Sequence, residues 1–280
     1  MVLEEIMNNE ILEKNREAWN EALGYHQKAR NNSLQEGFKD PNFTVLNRDC
    51  DDILIEKLNE TDLKDKIIAQ LPCNNGRELL SLVKFGAKKG IGFDISDAAI
   101  SEADELKTIS GLNVEFYRTD ISDIDDTFND SVDFIYVSEG SLQWFSSLND
   151  YFKTVSKLLK PNGKVLIYEI HPFAYFFEPA NDSDNEPTLD QFLSYFEKGP
   201  YSYKNGLDYV GQTKYDAKEC CWYMHKMSDI INAIIRNGLE IEKFDEYNME
   251  MANNESIKNM EKFPLSYIIN CRKIDKNADR

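Results

Sequence analysis

Between Ile67 and Ser96 an apolar run, a turn, a helical repeat and a second apolar run follow one another, and this order limits what the chain can fold into. Ile67, Ile68, Ala69 and Leu71 read as a short buried strand, and Pro72-Cys73-Asn74-Asn75-Gly76 as a tight loop. Leu79, Leu80, Leu82 and Val83 repeat at helical spacing, and Ile91-Gly92-Phe93 form a second strand that ends on Asp94. Two readings fit this unit. In one, Gly76 turns the chain and Asp94 caps the next helix. In the other, the loop brings backbone close to a nucleotide, and the acid about 20 residues on accepts both ribose hydroxyls.

The pattern continues downstream. Ser96 is a good N-cap for a helix carrying Ala99, Ile100, Ala103 and Leu106, which Gly111 stops. A strand over Val114–Tyr117 ends in Arg118-Thr119-Asp120-Ile121, and a strand over Val132–Val137 opens into Ser138-Glu139-Gly140-Ser141-Leu142-Gln143-Trp144. A helix from about Leu148 ends at Lys160-Pro161-Asn162-Gly163, before a strand over Lys164–Ile170. Strands alternating with helices call for a parallel sheet covered on both faces. After an irregular stretch, a helix with Ile230, Ile231, Ile234 and Ile235 and two strands, Leu239–Phe244 and Leu265–Arg272, close the chain.

Two segments lie outside that alternation. Glu4 to Arg30 reads as a helix with Ile11, Ala18, Trp19 and Ala22 on one face, followed by a short helix over Asp51–Asn59. Phe173 to Cys221 combines an acidic tract, Asn181–Asp190, with rings such as Tyr175, Phe176, Phe192, Tyr195 and Tyr203. So many aromatics need a surface to cover or a ligand to enclose. They form either a lid over a pocket or the core of an inserted subdomain; the N-terminal helix is likewise either an accessory or part of the same cover.

Charge excludes some partners. Lys+Arg 32 against Asp+Glu 50 gives −18, a surface that repels nucleic-acid backbones and anionic lipid. No signal peptide or membrane-spanning run is visible, so a cytoplasmic protein is expected. Five scattered cysteines without a CxxC pair fit a reducing compartment, and three distant histidines give no metal site. A monomer or homodimer acting on a small molecule is expected.

Taken together, AQLPCNNG (69–76), GFDIS (92–96), RTDI (118–121) and DFIYVSEGSLQWF with its sequel LLKPNGKVLIYE resemble class I S-adenosylmethionine-dependent methyltransferases from about Asp65 to the last strand. The resemblance implies an α/β Rossmann-like fold: a seven-stranded, mostly parallel sheet of order 3-2-1-4-5-7-6, with helices on both faces. It divides the chain into an N-terminal cap (1–60) and a methyltransferase domain (61–280) with an insert at about 173–222. It implies that S-adenosylmethionine lies along Leu71, Cys73, Asn74 and Gly76, with Asp94 on the ribose hydroxyls and Ile95 beside it. Asp120 would meet the adenine amino group, Ile121 its ring, and Ser138 and Glu139 the floor near the sulfonium. Pro72 and Asn74 stand where the family has glycines; Asn tolerates positive φ, whereas Pro fixes φ and removes a donor.

For the chemistry, His171 and Glu139 are the base candidates, with His171 alternatively holding only backbone. Trp19, Tyr25, His26, Trp144 and His171 are expected to approach the acceptor. An S-adenosylmethionine-binding regulator or subunit without turnover, and a nicotinamide-dependent oxidoreductase, are the alternatives.

Overall fold

The computed structural model describes residues 2–48, 50–177, 193–249, 251 and 262–275. The acidic tract Asn181–Asp190 and Phe192 lie outside the described residues.

In chain order, helices α1 (Val2–Arg30), α2 (Ser33–Gly37) and α3 (Asp51–Glu60) precede β1 (Ile67–Gln70), α4 (Arg77–Val83), β2 (Lys89–Asp94), α5 (Asp97–Ser110) and β3 (Val114–Arg118). Then come β4 (Val132–Val137), α6 (Leu148–Leu158), β5 (Leu159–Ile170), β6 (Tyr201–Tyr203), β7 (Cys220–Trp222), α7 (Met227–Arg236), β8 (Leu239–Tyr247) and β9 (Ser266–Lys273). Seven strands make one sheet in the order β3-β2-β1-β4-β5-β9-β8; β5 through β3 are parallel, and β9 is antiparallel to both neighbours. This is the 3-2-1-4-5-7-6 order, because β6 and β7 form a separate two-stranded sheet within the insert.

The sequence specifies this by burial on both faces. Ala69, Ile91, Ile135 and Ile167 pack with α6 and α7 on one face; Ile68, Phe134, Leu166 and Ile268 pack with α3, α4 and α5 on the other. Interior parallel strands therefore read as continuous apolar runs. On α5 the Ser96 hydroxyl accepts the Ala99 N–H at 3.1 Å, and Gly111 ends the helix at φ 65°.

One boundary differs from the sequence expectation. Lys160–Gly163 does not separate α6 from β5: the strand starts at Leu159, opposite Val132, and its register shifts before Lys164 pairs with Phe134. Pro161-Asn162-Gly163 is an irregularity inside a strand, with Asn162 at φ 61°. Among the described residues no helix is long and apolar enough to cross a membrane, and no cluster of three His, Cys, Asp or Glu side chains is placed to hold a metal.

Candidate active site

A cavity of about 760 Å³ opens beyond the carboxyl ends of β1, β2 and β4. In an open α/β sheet this end collects backbone N–H groups and loop side chains, which is why ligands settle there. The loop after β1 contributes Pro72, Cys73, Asn74 and Asn75 to its wall. The Leu71–Pro72 peptide is cis, and Asn74 sits at φ 49°, in the left-handed region asparagine tolerates. Gly76 is needed for another reason than approach to a ligand. It caps α4 at φ 72°, and a Cβ there would fall 2.4 Å from the Phe116 ring, so Gly76 faces the core between α5 and β3 and does not line the cavity. Leu71 is also turned inward, fully buried, its carbonyl accepting the Tyr151 hydroxyl at 2.6 Å.

Asp94 ties that loop to β2. One carboxylate oxygen accepts the Asn74 N–H at 2.8 Å and the other the Ser96 N–H at 2.9 Å. A carboxylate has about four acceptor positions. Acceptor capacity therefore remains at the cavity for a ligand hydroxyl. Burial pushes the Asp94 carboxyl up to about 6, against the backbone N–H groups of Ser96, Asn74 and Ile95, which favour its charge. Ile95, Asp120 and Ile121 continue the wall. Asp120 caps its own turn, with one oxygen accepting the Ser122 N–H at 2.9 Å.

The loop after β4 forms the floor. Ser138 accepts from Gln70 Nε2 at 3.2 Å. Glu139 is held by Arg48, whose Nη1 and Nη2 donate to its two oxygens, the second at 3.1 Å. The same guanidinium binds the fully buried Asp51 through Nη2 (2.8 Å) and Nε (3.1 Å). Burial raises the Glu139 carboxyl above the ordinary carboxylate range, and Arg48 opposes this. Beneath the loop, the Glu169 carboxylate accepts the N–H groups of Gly140, Ser141 and Leu142.

Helix α1 and the insert supply the remaining walls. Leu12, Trp19 and Leu23 face the cavity from α1, and Tyr203, Leu207 and Tyr209 from the insert. The two elements are clasped together. Asn15 Nδ2 donates to the Cys221 carbonyl (2.9 Å) while its oxygen accepts the Cys221 N–H (2.7 Å), the pattern of a strand pair made by a side chain. Asn20 fixes α1 to the start of α5, accepting from the Ser96 hydroxyl at 2.7 Å and the Ala98 N–H at 3.1 Å. Trp19 meets Trp144 edge to face at 5.4 Å, joining α1 to the floor loop.

Cys73, Asn74, Asp94, Ile95, Asp120, Ile121, Ser138 and Glu139 thus meet at one cavity, with Trp19 and Trp144 across from them. Besides Leu71 and Gly76, three further expected residues do not reach it. His171 lies one residue past Ile170, which faces the cavity; its Nδ1 accepts the Phe173 N–H at 3.0 Å and its Nε2 lies 3.1 Å from Glu246, so it fastens the end of β5 to β8. Burial holds the His171 imidazole below its ordinary range. His26 is fully buried, donating from Nε2 to the Leu207 carbonyl at 2.9 Å, and burial lowers it to about 4. Tyr25 stacks on Tyr215 at 4.1 Å, on the outer side of the same clasp. Arg30, Arg48, Arg77 and Tyr209, which the sequence did not single out, line the cavity instead. A faint signal existed for Arg77, directly after Gly76; none marked the others.

The architecture is the Rossmann-like fold of class I S-adenosylmethionine-dependent methyltransferases. Residues 68–163 match the family model described as a methyltransferase domain, the part of the chain that holds the loops after β1, β2, β3 and β4. The chain is 33% identical over 90 residues to an uncharacterised protein of Methanocaldococcus jannaschii, a stretch covering 32% of this chain and 40% of that protein. It thus spans less than half the length of the curated relatives it matches. Among solved structures it is similar to a putative S-adenosylmethionine-dependent methyltransferase from Listeria monocytogenes (TM-score 0.60, 20% identity, 79% of this chain and 97% of that one). It is also similar to the geranyl diphosphate C-methyltransferase of Streptomyces coelicolor A3(2), in complex with Mg2+, geranyl diphosphate and S-adenosyl-L-homocysteine (TM-score 0.51, 13% identity, 80% and 78%).

Proposed function

We propose that the protein transfers a methyl group from S-adenosylmethionine to a small-molecule acceptor inside this cavity. The observation that carries the reading is Asp94: a buried carboxylate at the end of β2, with both oxygens anchored by backbone N–H groups and acceptor capacity left at the cavity for ribose hydroxyls. Asp120 and Ile121, one strand over, offer a carboxylate and an apolar surface for adenine, and the loop after β1 lies between that end and the floor at Ser138 and Glu139. A neighbour of the same fold that holds S-adenosyl-L-homocysteine and a small prenyl diphosphate supports the pairing of this donor with a small acceptor.

The donor supplies a methyl on an already activated sulfonium. The chain's own residues then have two tasks: to align an acceptor in line with the methyl and to exclude water. Trp19, Trp144, Tyr203 and Tyr209 form an apolar and aromatic enclosure suited to both. Where the acceptor atom carries a proton, Glu139 is the group at the cavity that receives it, its carboxylate oriented by Arg48. His171 serves the fold at the junction of β5 and β8.

Calorimetry with S-adenosylhomocysteine and with NAD tests the donor. S-adenosylhomocysteine should bind and NAD should not. Asp94→Ala, which removes a bidentate charge-assisted contact, should weaken S-adenosylhomocysteine by roughly 10- to 150-fold. Unchanged affinity in that variant would refute the assignment.

A further inference from the structure

Among the described residues, two guanidinium groups at the cavity, Arg30 and Arg77, have their paired carboxylates only at 3.9 Å. Arg30, the last residue of α1, is nine-tenths buried, and its Nη1 is sealed from solvent without a hydrogen bond; the nearest carboxylate, Glu102, stands 3.9 Å away. Glu102 is engaged elsewhere, accepting from Asn75 Nδ2 at 3.0 Å. Arg77 lines the same cavity. It lies 3.9 Å from Glu78, which already accepts from Gln70 Nε2 at 2.8 Å, and it makes a long 3.4 Å contact to the Tyr209 hydroxyl. A buried donor without an acceptor is costly, and a guanidinium is matched by the two oxygens of an oxyanion.

The surroundings indicate which ligand brings that oxyanion. Arg30 and Tyr209 stand on α1 and the insert, the covering elements, while Arg77 opens α4 directly after the loop after β1, so two of the three groups come from outside the loops assigned to the donor. Tyr209 sits against His26 at 4.4 Å and Trp19 at 6.4 Å, so the cations border the aromatic wall. Burial first, and then the charge of Arg77, lower the proton affinity of Arg30, with Tyr209 and Glu102 opposing them, and a bound anion would add to that opposition.

We propose that Arg30, Arg77 and the Tyr209 hydroxyl form an oxyanion site that takes a carboxylate or phosphate carried by the methyl acceptor. The inference rests on the methyl-transfer reading for the word acceptor, but not for the site itself. It makes the substrate an acid rather than a neutral or cationic molecule, despite the −18 charge of the whole chain.

The test is calorimetry of the full chain saturated with S-adenosylhomocysteine, with 4-hydroxybenzoate and inorganic phosphate as probes, in the wild type, Arg30→Gln, Arg77→Gln and Tyr209→Phe. At least one probe should bind. Arg30→Gln and Arg77→Gln should each weaken it about tenfold or more, and Tyr209→Phe, which removes only a hydroxyl, by a few-fold. Affinity for S-adenosylhomocysteine should stay within about twofold. The donor's own methionyl carboxylate is the competing source of the anion, and 5′-methylthioadenosine, which lacks it, separates the two. Loss of S-adenosylhomocysteine affinity in Arg30→Gln with 5′-methylthioadenosine unaffected would overturn the acceptor assignment, as would failure of both probes to bind the wild-type complex. Arg30-dependent probe binding in a protein that binds no S-adenosylhomocysteine would remove the methyl-transfer reading and leave the anion site standing.

Discussion

Glu169 holds Leu142 by its backbone: one carboxylate oxygen accepts the Leu142 N–H at 3.0 Å and the Ser141 N–H at 2.8 Å, and the other takes the N–H groups of Gly140 and Ile170. A fully buried side chain on β5 therefore fixes the loop after β4, which carries Glu139 and Trp144 to the cavity. Glu169→Gln keeps the shape but turns an amide donor toward backbone donors, leaving one or two N–H groups unpaired. The expected cost is about 1 to 3 kcal/mol of stability per group. Thermal melts should show it, and calorimetry should show weaker S-adenosylhomocysteine binding. A variant as stable as the wild type with unchanged affinity would show that the loop holds itself.

Arg48 carries a second load. Its guanidinium serves Glu139 at the cavity and Asp51 in the core. Arg48→Gln should strand the buried Asp51 carboxylate and raise the Glu139 carboxyl further. Because Arg48 is itself 37% exposed, solvent offsets part of the loss, and the destabilisation should be about 1 to 3 kcal/mol. Denaturant titration measures it; the double variant Arg48→Gln/Asp51→Asn should recover part of the stability, because no buried charge is then unpaired.

What the sequence made legible follows from locality. Asp94 and Asp120 are legible as cavity residues because Asp94 ends β2 and Asp120 follows β3 by two residues, each after a visible apolar run, and the cavity lies at that end of the sheet. Arg48 is paired with Glu139 across 91 residues and Arg77 with Tyr209 across 132, and no periodicity announces such meetings. His171 was expected at the cavity by its position after β5. The sequence does not reveal that Ile170 takes the cavity side and leaves His171 beside Glu246. Glu169 reads as an ordinary strand residue, because a side chain that satisfies backbone N–H groups leaves no pattern of its own.

The pH dependence of donor binding should report Asp94. Its carboxyl is raised from an ordinary 3.8 to about 6, so near pH 7.5 it is ionised and able to accept ligand hydroxyls, while below pH 6 it is protonated before the ligand arrives. The dissociation constant of S-adenosylhomocysteine should rise about tenfold between pH 7.5 and pH 5. Asp94→Asn should bind weakly with a flat profile. The sign for stability is opposite. With folded-state values raised to about 6 and about 7, Asp94 and Glu169 keep protons that the unfolded chain releases, so the ligand-free protein loses stability as pH rises from about 4 to about 7. Melting temperatures across that window check this, and a rise with pH would contradict it.

The cover should be the part of the molecule that ligand orders most. Helix α1 and the insert are joined by Asn15 to Cys221, and by the surface pairs Lys218–Glu17 and Lys14–Glu219, so they form one clasped unit facing the cavity. Exposed ion pairs contribute little, which leaves the two buried Asn15 hydrogen bonds as the main polar tie. A unit held this way opens without disturbing the sheet, and an enclosed site must open to release product. Hydrogen exchange with S-adenosylhomocysteine bound should therefore slow amides in residues 15–30 and 201–222. Asn15→Ala should speed exchange at Cys221 and its neighbours in the free protein and narrow the protection on binding, with melting of the sheet core little changed. Protection limited to the loops at Asn74, Asp94 and Asp120 would show that α1 and the insert are packing alone, and would move the acceptor out from beneath them.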